Sequence, residues 1–115
     1  MIKTSTMSDT TSSSRRRDLK ALAHELDPLI QIGKQGVTDG VVKNIDAALR
    51  NHELIKIKFL EHKEEKEELT RRVAEQTRSE KVDIIGNTAI LYRQNPDPKK
   101  RKVKLKRRLK KIPST

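Results

Sequence analysis

The stretch QIGKQGVTDG, residues 31–40, holds three of the chain's four glycines, Gly33, Gly36 and Gly40. Glycines collect where the backbone must bend sharply or where a ligand must approach it closely. A turn that opens a helix can serve both needs, because the first N–H groups of a helix lack intrahelical partners and attract anions. Three chemistries suit such a turn. A P-loop needs G-x-x-x-x-G-K-[ST], and no Lys-Ser or Lys-Thr follows a glycine at that distance. A dinucleotide fingerprint needs G-x-G-x-x-G, whereas the spacing here is G-x-x-G-x-x-x-G. The third is a G-x-x-G loop that lets a nucleic-acid backbone come close, with Lys34 and Gln35 at its tip. From the residues alone, this reading stands level with a plain strand-to-helix turn. Gly40 falls inside the helix that follows and is expected to mark close packing against another element.

Other chemistry finds little footing. His24, His52 and His62 fall on three different elements with no regular ligand spacing, and the chain has no cysteine. Chance placement, or hydrogen bonding within the fold, accounts for them better than zinc. The acidic run EHKEEKEE reads as a solvated helix face rather than a carboxylate pair for acid–base work. No serine stands in a nucleophile-elbow context. Phe59 and Tyr92, the only aromatics, suit core or cross-strand positions better than base stacking. Neither an enzyme nor a cofactor is expected.

Charge offers a second lead. The formal net charge is +11, yet ten Lys or Arg lie within residues 99–111, which hold no acid. The rest of the chain carries 17 basic against 16 acidic residues and is close to neutral. A near-neutral body with a polycationic tail (Lys99, Lys100, Arg101, Lys102, Lys104, Lys106, Arg107, Arg108) points to a polyanionic partner. Arg15, Arg16 and Arg17 form a smaller basic group, and Lys20 and Lys43 are candidate phosphate contacts on neighbouring helices. Leu105, Leu109 and Ile112 fall at helical spacing within the tail, but without Trp or Phe a membrane-surface helix is a poor fit. No apolar run nears the roughly 20 residues of a membrane span. A soluble cytoplasmic monomer is expected.

These residues need a scaffold, and the patterning supplies one. Residues 1–14, rich in Ser and Thr, read as a disordered extension, followed by a domain over 15–98 and a basic tail over 99–115. Leu19, Leu22, Ala23 and Leu26 recur at helical spacing, with Asp18 as a cap and Pro28 as the stop. LIQI (29–32) reads as a strand. A second helix over Thr38–Asn51 carries a stripe of Val41, Ile45, Ala48 and Leu49. LIKIKF (54–59) alternates cleanly as a strand with one solvated face. A charged third helix follows, with Leu69, Val73 and Ala74 as its apolar contact and Arg71, Arg72 and Arg78 towards its end. VDII and TAILYR then flank Gly86-Asn87, a hairpin turn. The order α-β-α-β-α-β-β predicts a compact α/β domain with a mixed four-stranded sheet. LIQI and AILY, more continuously apolar than LIKIKF, are expected to lie centrally.

The LKALAH helix, the G-x-x-G turn, the HELIKIKF strand and the IIGNTAILYR hairpin, taken together, resemble the bacterial stand-alone CRM-domain proteins of the YhbY family over about residues 15–105. The resemblance implies a fold similar to the C-terminal domain of translation initiation factor three. It also implies RNA binding and association with ribosomal RNA in precursors of the large ribosomal subunit. The RNA surface it implies falls on Gly33, Lys34, Gln35 and Gly36 and on nearby basic residues. The Ser/Thr-rich start and the KRRLKKIPST end depart from the family pattern. The alternative is a protein-binding adaptor of ribosome-related complexes whose tail binds nucleic acid non-specifically.

Overall fold

The computed structural model describes residues 14–103. Residues 1–13 and the tail from Lys104 onward, with Lys106, Arg107 and Arg108, lie outside the described residues. A helix over 14–23 (α1) leads to strand β1 (Ile30–Ile32) and helix α2 (Asp39–His52), then strand β2 (Leu54–Phe59). A short 3-10 turn (Lys63–Glu65) runs into α3 (Lys66–Thr77), and the hairpin β3 (Glu80–Ile85) and β4 (Thr88–Tyr92) completes the sheet. One more 3-10 turn, Pro98–Lys100, closes the described chain. Among the described residues, no helix is long and apolar enough to cross a membrane.

The sheet is four-stranded and mixed, in the order β1-β2-β4-β3. β1 runs parallel to β2, as the crossover through α2 requires, while β4 lies antiparallel between β2 and β3. The expected lateral placement holds for AILY in β4 and needs correction for LIQI: β2 and β4 are central, and the first strand is an edge strand of three residues, Ile30–Ile32. The alternation of LIKIKF reports which sheet face meets water and carries no information about lateral position. Insertion of β4 also separates β2 from β3, although these two strands keep the same direction.

Both faces of the sheet are covered. Ile55, Ile57 and Phe59 of β2 and Ala89 and Leu91 of β4 pack with Ile45 and Leu49 of α2 and Val73 and Ala74 of α3. The alternate residues Leu54, Ile90 and Tyr92, with Val82, meet Leu19 and Ala23 of α1 on the opposite face. The period-2 alternation of β4 thus feeds two cores at once, which explains its continuous apolarity. Leu19 has no exposed surface, and its truncation to alanine is expected to cost about 2–5 kcal/mol. Leu26, assigned to the same stripe, is exposed because the helix ends at Ala23 rather than continuing to Pro28, and Leu22, although still within the helix, is exposed on the side away from the Leu19–Ala23 contact. Asp18 is not a cap either: it lies within α1 and is buried.

Candidate nucleic-acid interface

The G-x-x-G stretch forms a four-residue turn closed by the Gly36 N–H donating to the Gly33 carbonyl at 3.0 Å, with Lys34 and Gln35 at its corners. Gly36 has φ of +72°, a region that L side chains rarely adopt. Gly33, unlike Gly36, does not have a positive φ, and a Cβ there would meet nothing within 4 Å. Gly33 therefore matters for open space rather than for conformation. Thr38 caps α2 as expected, its hydroxyl accepting from the Val41 N–H at 3.2 Å. Gly40 is exposed, and a Cβ there would approach only the Thr38 hydroxyl at 3.8 Å, so it is not a packing glycine.

His62 stands behind this turn. Its Nε2 lies 2.7 Å from the Lys34 carbonyl oxygen and its Nδ1 lies 3.2 Å from Glu65 Oε1. Both partners are acceptors only, so both ring nitrogens carry hydrogen and the geometry calls for imidazolium. The bond to the Lys34 carbonyl, opposed by burial and aided by Glu65 and Glu61, holds the His62 pKa above its ordinary value. When protonated, His62 places a positive charge beneath the turn. Hydrogen bonding within the fold, the role expected of the histidines, is what His62 shows. Its partnership with the turn could not be read from the sequence.

The predicted basic residues do not gather in one place. Lys43 is exposed on α2, five residues beyond the cap. Lys20 lies on α1, across the sheet from α2 and α3, and pairs with Asp83 at 2.9 Å. Arg15 pairs with Glu80 at 2.6 Å, and its guanidinium lies 5.7 Å from the centre of the Tyr92 ring. Arg16 and Arg17 are exposed on α1. Lys99, Lys100, Arg101 and Lys102 sit at the far end of α2 from the turn, on a strap of residues 95–103 that folds back on the body.

Glu53 makes that strap. It follows α2 with φ of +67°, where glycine is usual, and its side chain has no exposed surface. Its Oε1 accepts from the N–H groups of Lys102 at 2.6 Å and Val103 at 2.7 Å, and its Oε2 accepts from Asn95 N–H. Its main-chain carbonyl accepts from Arg93 N–H at 2.8 Å. Burial pushes the Glu53 carboxyl up, but these backbone donors outweigh it and hold the pKa below the usual carboxylate value. Val103 packs on the α1 core, so the packed body runs past residue 98, where the tail was expected to begin. An acidic residue at a helix end that favours glycine was the available signal for Glu53.

Arg93 completes this end. It donates to Asp46 Oδ1 at 2.6 Å, to the Thr77 carbonyl at 2.7 Å and to the Asp46 carbonyl at 3.1 Å, joining the middle of α2 to the last turn of α3. The side-chain bond from Arg93 leads in holding the Asp46 pKa down. Phe59 and Tyr92 are buried in the two cores, as their core reading requires. Among the described residues, no group of three His, Cys, Asp or Glu could hold a metal ion.

An α/β domain with a mixed sheet, presenting an open basic G-x-x-G turn at the entry to a capped helix, is the class that the fold and this site define. Comparison with known proteins places it more closely. Residues 12–93 match the CRS1/YhbY (CRM) domain, and the chain belongs to that family. It is 37% identical over 89 residues to the probable RNA-binding protein YqeI of Bacillus subtilis, covering 76% of this chain and 93% of that protein. A probable RNA-binding protein of Pseudomonas aeruginosa is 34% identical over 90 residues, covering 77% of this chain and 86% of its own length. The solution structure of the Staphylococcus aureus protein SAV1595, described as a candidate RNA binding protein, superposes with a TM-score of 0.66 at 40% identity. It covers 78% of this chain and 95% of its own.

Proposed function

We propose that this protein binds RNA without catalysing a reaction on it, and that its target is ribosomal RNA in precursors of the large ribosomal subunit. The observation that carries RNA binding is the turn itself: Gly33 leaves free space beside the backbone, Lys34 stands at a corner, and His62 fixes the turn from behind. Open backbone beside positive charge suits a sugar–phosphate chain, which can come close where no side chain intervenes. The names of the Bacillus, Pseudomonas and Staphylococcus relatives support the same partner. The ribosomal target rests on the family resemblance, and action as a monomer in the cytoplasm is proposed beside it from the composition.

The test of the turn is the pair Lys34→Asp and Gln35→Asp, which reverses its charge without touching the core. The folded variant, checked by circular dichroism, is expected to lose RNA binding in a filter or anisotropy assay, and unchanged affinity removes the turn from the interface. Crosslinking in cells followed by sequencing tests the target. Enrichment of large-subunit ribosomal RNA is expected. Reads spread over cellular RNA without that enrichment, or a single stoichiometric protein partner in a ribosome-free pulldown, would favour the adaptor instead.

A further inference from the structure

At the end of α2 and α3 remote from the turn, the strap and the last helical turns enclose an open concavity of about 1160 Å³. Among the described residues six cations line it, Arg50, Arg78, Arg93, Lys99, Lys100 and Lys102, against two acids, Asp46 and Asp97. Both acids are already engaged. Asp46 is held by Arg50 and Arg93, each at 2.6 Å, and the Asp97 carboxylate caps the Lys99 N–H at 3.0 Å. That leaves Arg78, Lys99, Lys100 and Lys102, all exposed, whose side chains make no hydrogen bond or ion pair among the described residues.

Four cations around one hollow repel one another, and no ion pair among the described residues offsets that repulsion. They are nonetheless held together by built contacts: the Glu53 carboxylate fixes the strap, and Arg93 ties the end of α3 to the middle of α2 beneath it. The negative ends of two helix dipoles would weaken anion binding here. Arg93 offsets part of that by occupying the Thr77 carbonyl. No aromatic ring lines the concavity, so stacked bases find no platform, and the width and openness suit an extended polyanion better than a single small one.

We propose that this concavity is a second RNA contact, which grips phosphates independently of sequence while the G-x-x-G turn holds the same strand at the other end of α2. The proposal rests on RNA being the ligand of the turn. α2 has 14 residues, and at 1.5 Å per residue the two contacts stand about 20 Å apart. A strand of a few nucleotides reaches one contact only, and a longer strand engages both.

The experiment uses the full chain with Arg78→Gln, Lys99→Gln and Lys100→Gln, whose side chains hold nothing else in place. Fluorescence anisotropy is read with labelled single-stranded RNAs of four and 20 nucleotides. The triple variant is expected to bind the longer RNA about tenfold more weakly, and its salt slope should fall by about 2, at about 0.7 per phosphate released. The short RNA, held at the turn, should bind as before. Unchanged affinity and slope for the longer RNA in the folded variant overturn the proposal. Running the Lys34→Asp, Gln35→Asp protein alongside separates the two sites. If only that protein loses binding, the concavity falls and the turn stands; if only the triple variant does, the turn falls and the concavity stands. A polyglutamate peptide bound as tightly as RNA, and released by the triple substitution, would assign the concavity to an acidic protein and overturn it as an RNA contact.

Discussion

The Nε2–H of His62 donates to the carbonyl of Lys34 across 2.7 Å, so the G-x-x-G turn is braced by a residue 28 positions later in the chain. The brace works in the charged state, because only imidazolium satisfies both Lys34 and Glu65. Its raised pKa fixes the direction of the pH dependence. The contribution to stability is complete below the ordinary histidine value of about 6.5 and is lost as pH rises through the higher folded value.

A proton NMR titration of His62 should therefore give a midpoint above that of an unstructured histidine. Glu65→Gln should lower the midpoint, since Glu65 supports the charged ring. RNA affinity should weaken over the same pH range in the native chain and lose that dependence in His62→Gln. A midpoint at or below the ordinary value would remove the brace.

The glycines of the turn separate by mechanism. Gly36→Ala places a side chain at φ of +72° and should cost roughly 1–2 kcal/mol in urea unfolding. Gly33→Ala meets no atom and should leave stability within about 0.5 kcal/mol, while weakening RNA binding if the backbone is approached closely there. Gly40→Ala, exposed within α2, should stabilise by about 0.5–1 kcal/mol. Equal RNA affinity in native protein and Gly33→Ala would show that the ligand does not use the open space.

The buried Glu53 carboxylate predicts a clear loss on neutralisation. In Glu53→Gln an amide NH2 must face at least one of three N–H donors, at a cost on the order of 2–4 kcal/mol. Urea midpoints should fall, and amide hydrogens of Lys102 and Val103 should exchange faster than in the native chain. Because the folded pKa is depressed, the carboxylate's contribution is complete above the ordinary glutamate value of about 4.3 and disappears as pH falls through the lower folded value. A variant with native midpoint and native exchange would mean that the strap is held by something else.

Local signals made much of this molecule legible. The element order, the Thr38 cap, the 54–59 strand and the hairpin turn at Gly86 follow from periodicity and turn chemistry, which neighbouring residues encode. Strand order was not legible, because alternation describes a strand's two faces and says nothing of its lateral neighbours. The site divided in the same way. The turn could be seen in its spacing, whereas its brace, the Arg93–Asp46 tie and the Glu53–Val103 clamp join residues 28, 47 and 50 positions apart. Lys20 shows the converse. Its charge suggested a phosphate contact, but the fold sets it across the sheet against Asp83.

β4, the last strand in sequence, lies between β2 and β3 and supplies Ala89 and Leu91 to one core and Ile90 and Tyr92 to the other. A chain cut anywhere before Tyr92 lacks part of the strand that both cores share. Its early elements then depend on β1 against β2 and on helices with half their packing partners missing, which is too little for independent stability. Order of synthesis and order of consolidation are therefore expected to run apart: residues 33–36 leave the ribosome early, but both cores close only with the final hairpin. On the proposal that the turn holds RNA, a chain truncated before Tyr92 is expected to lose that binding.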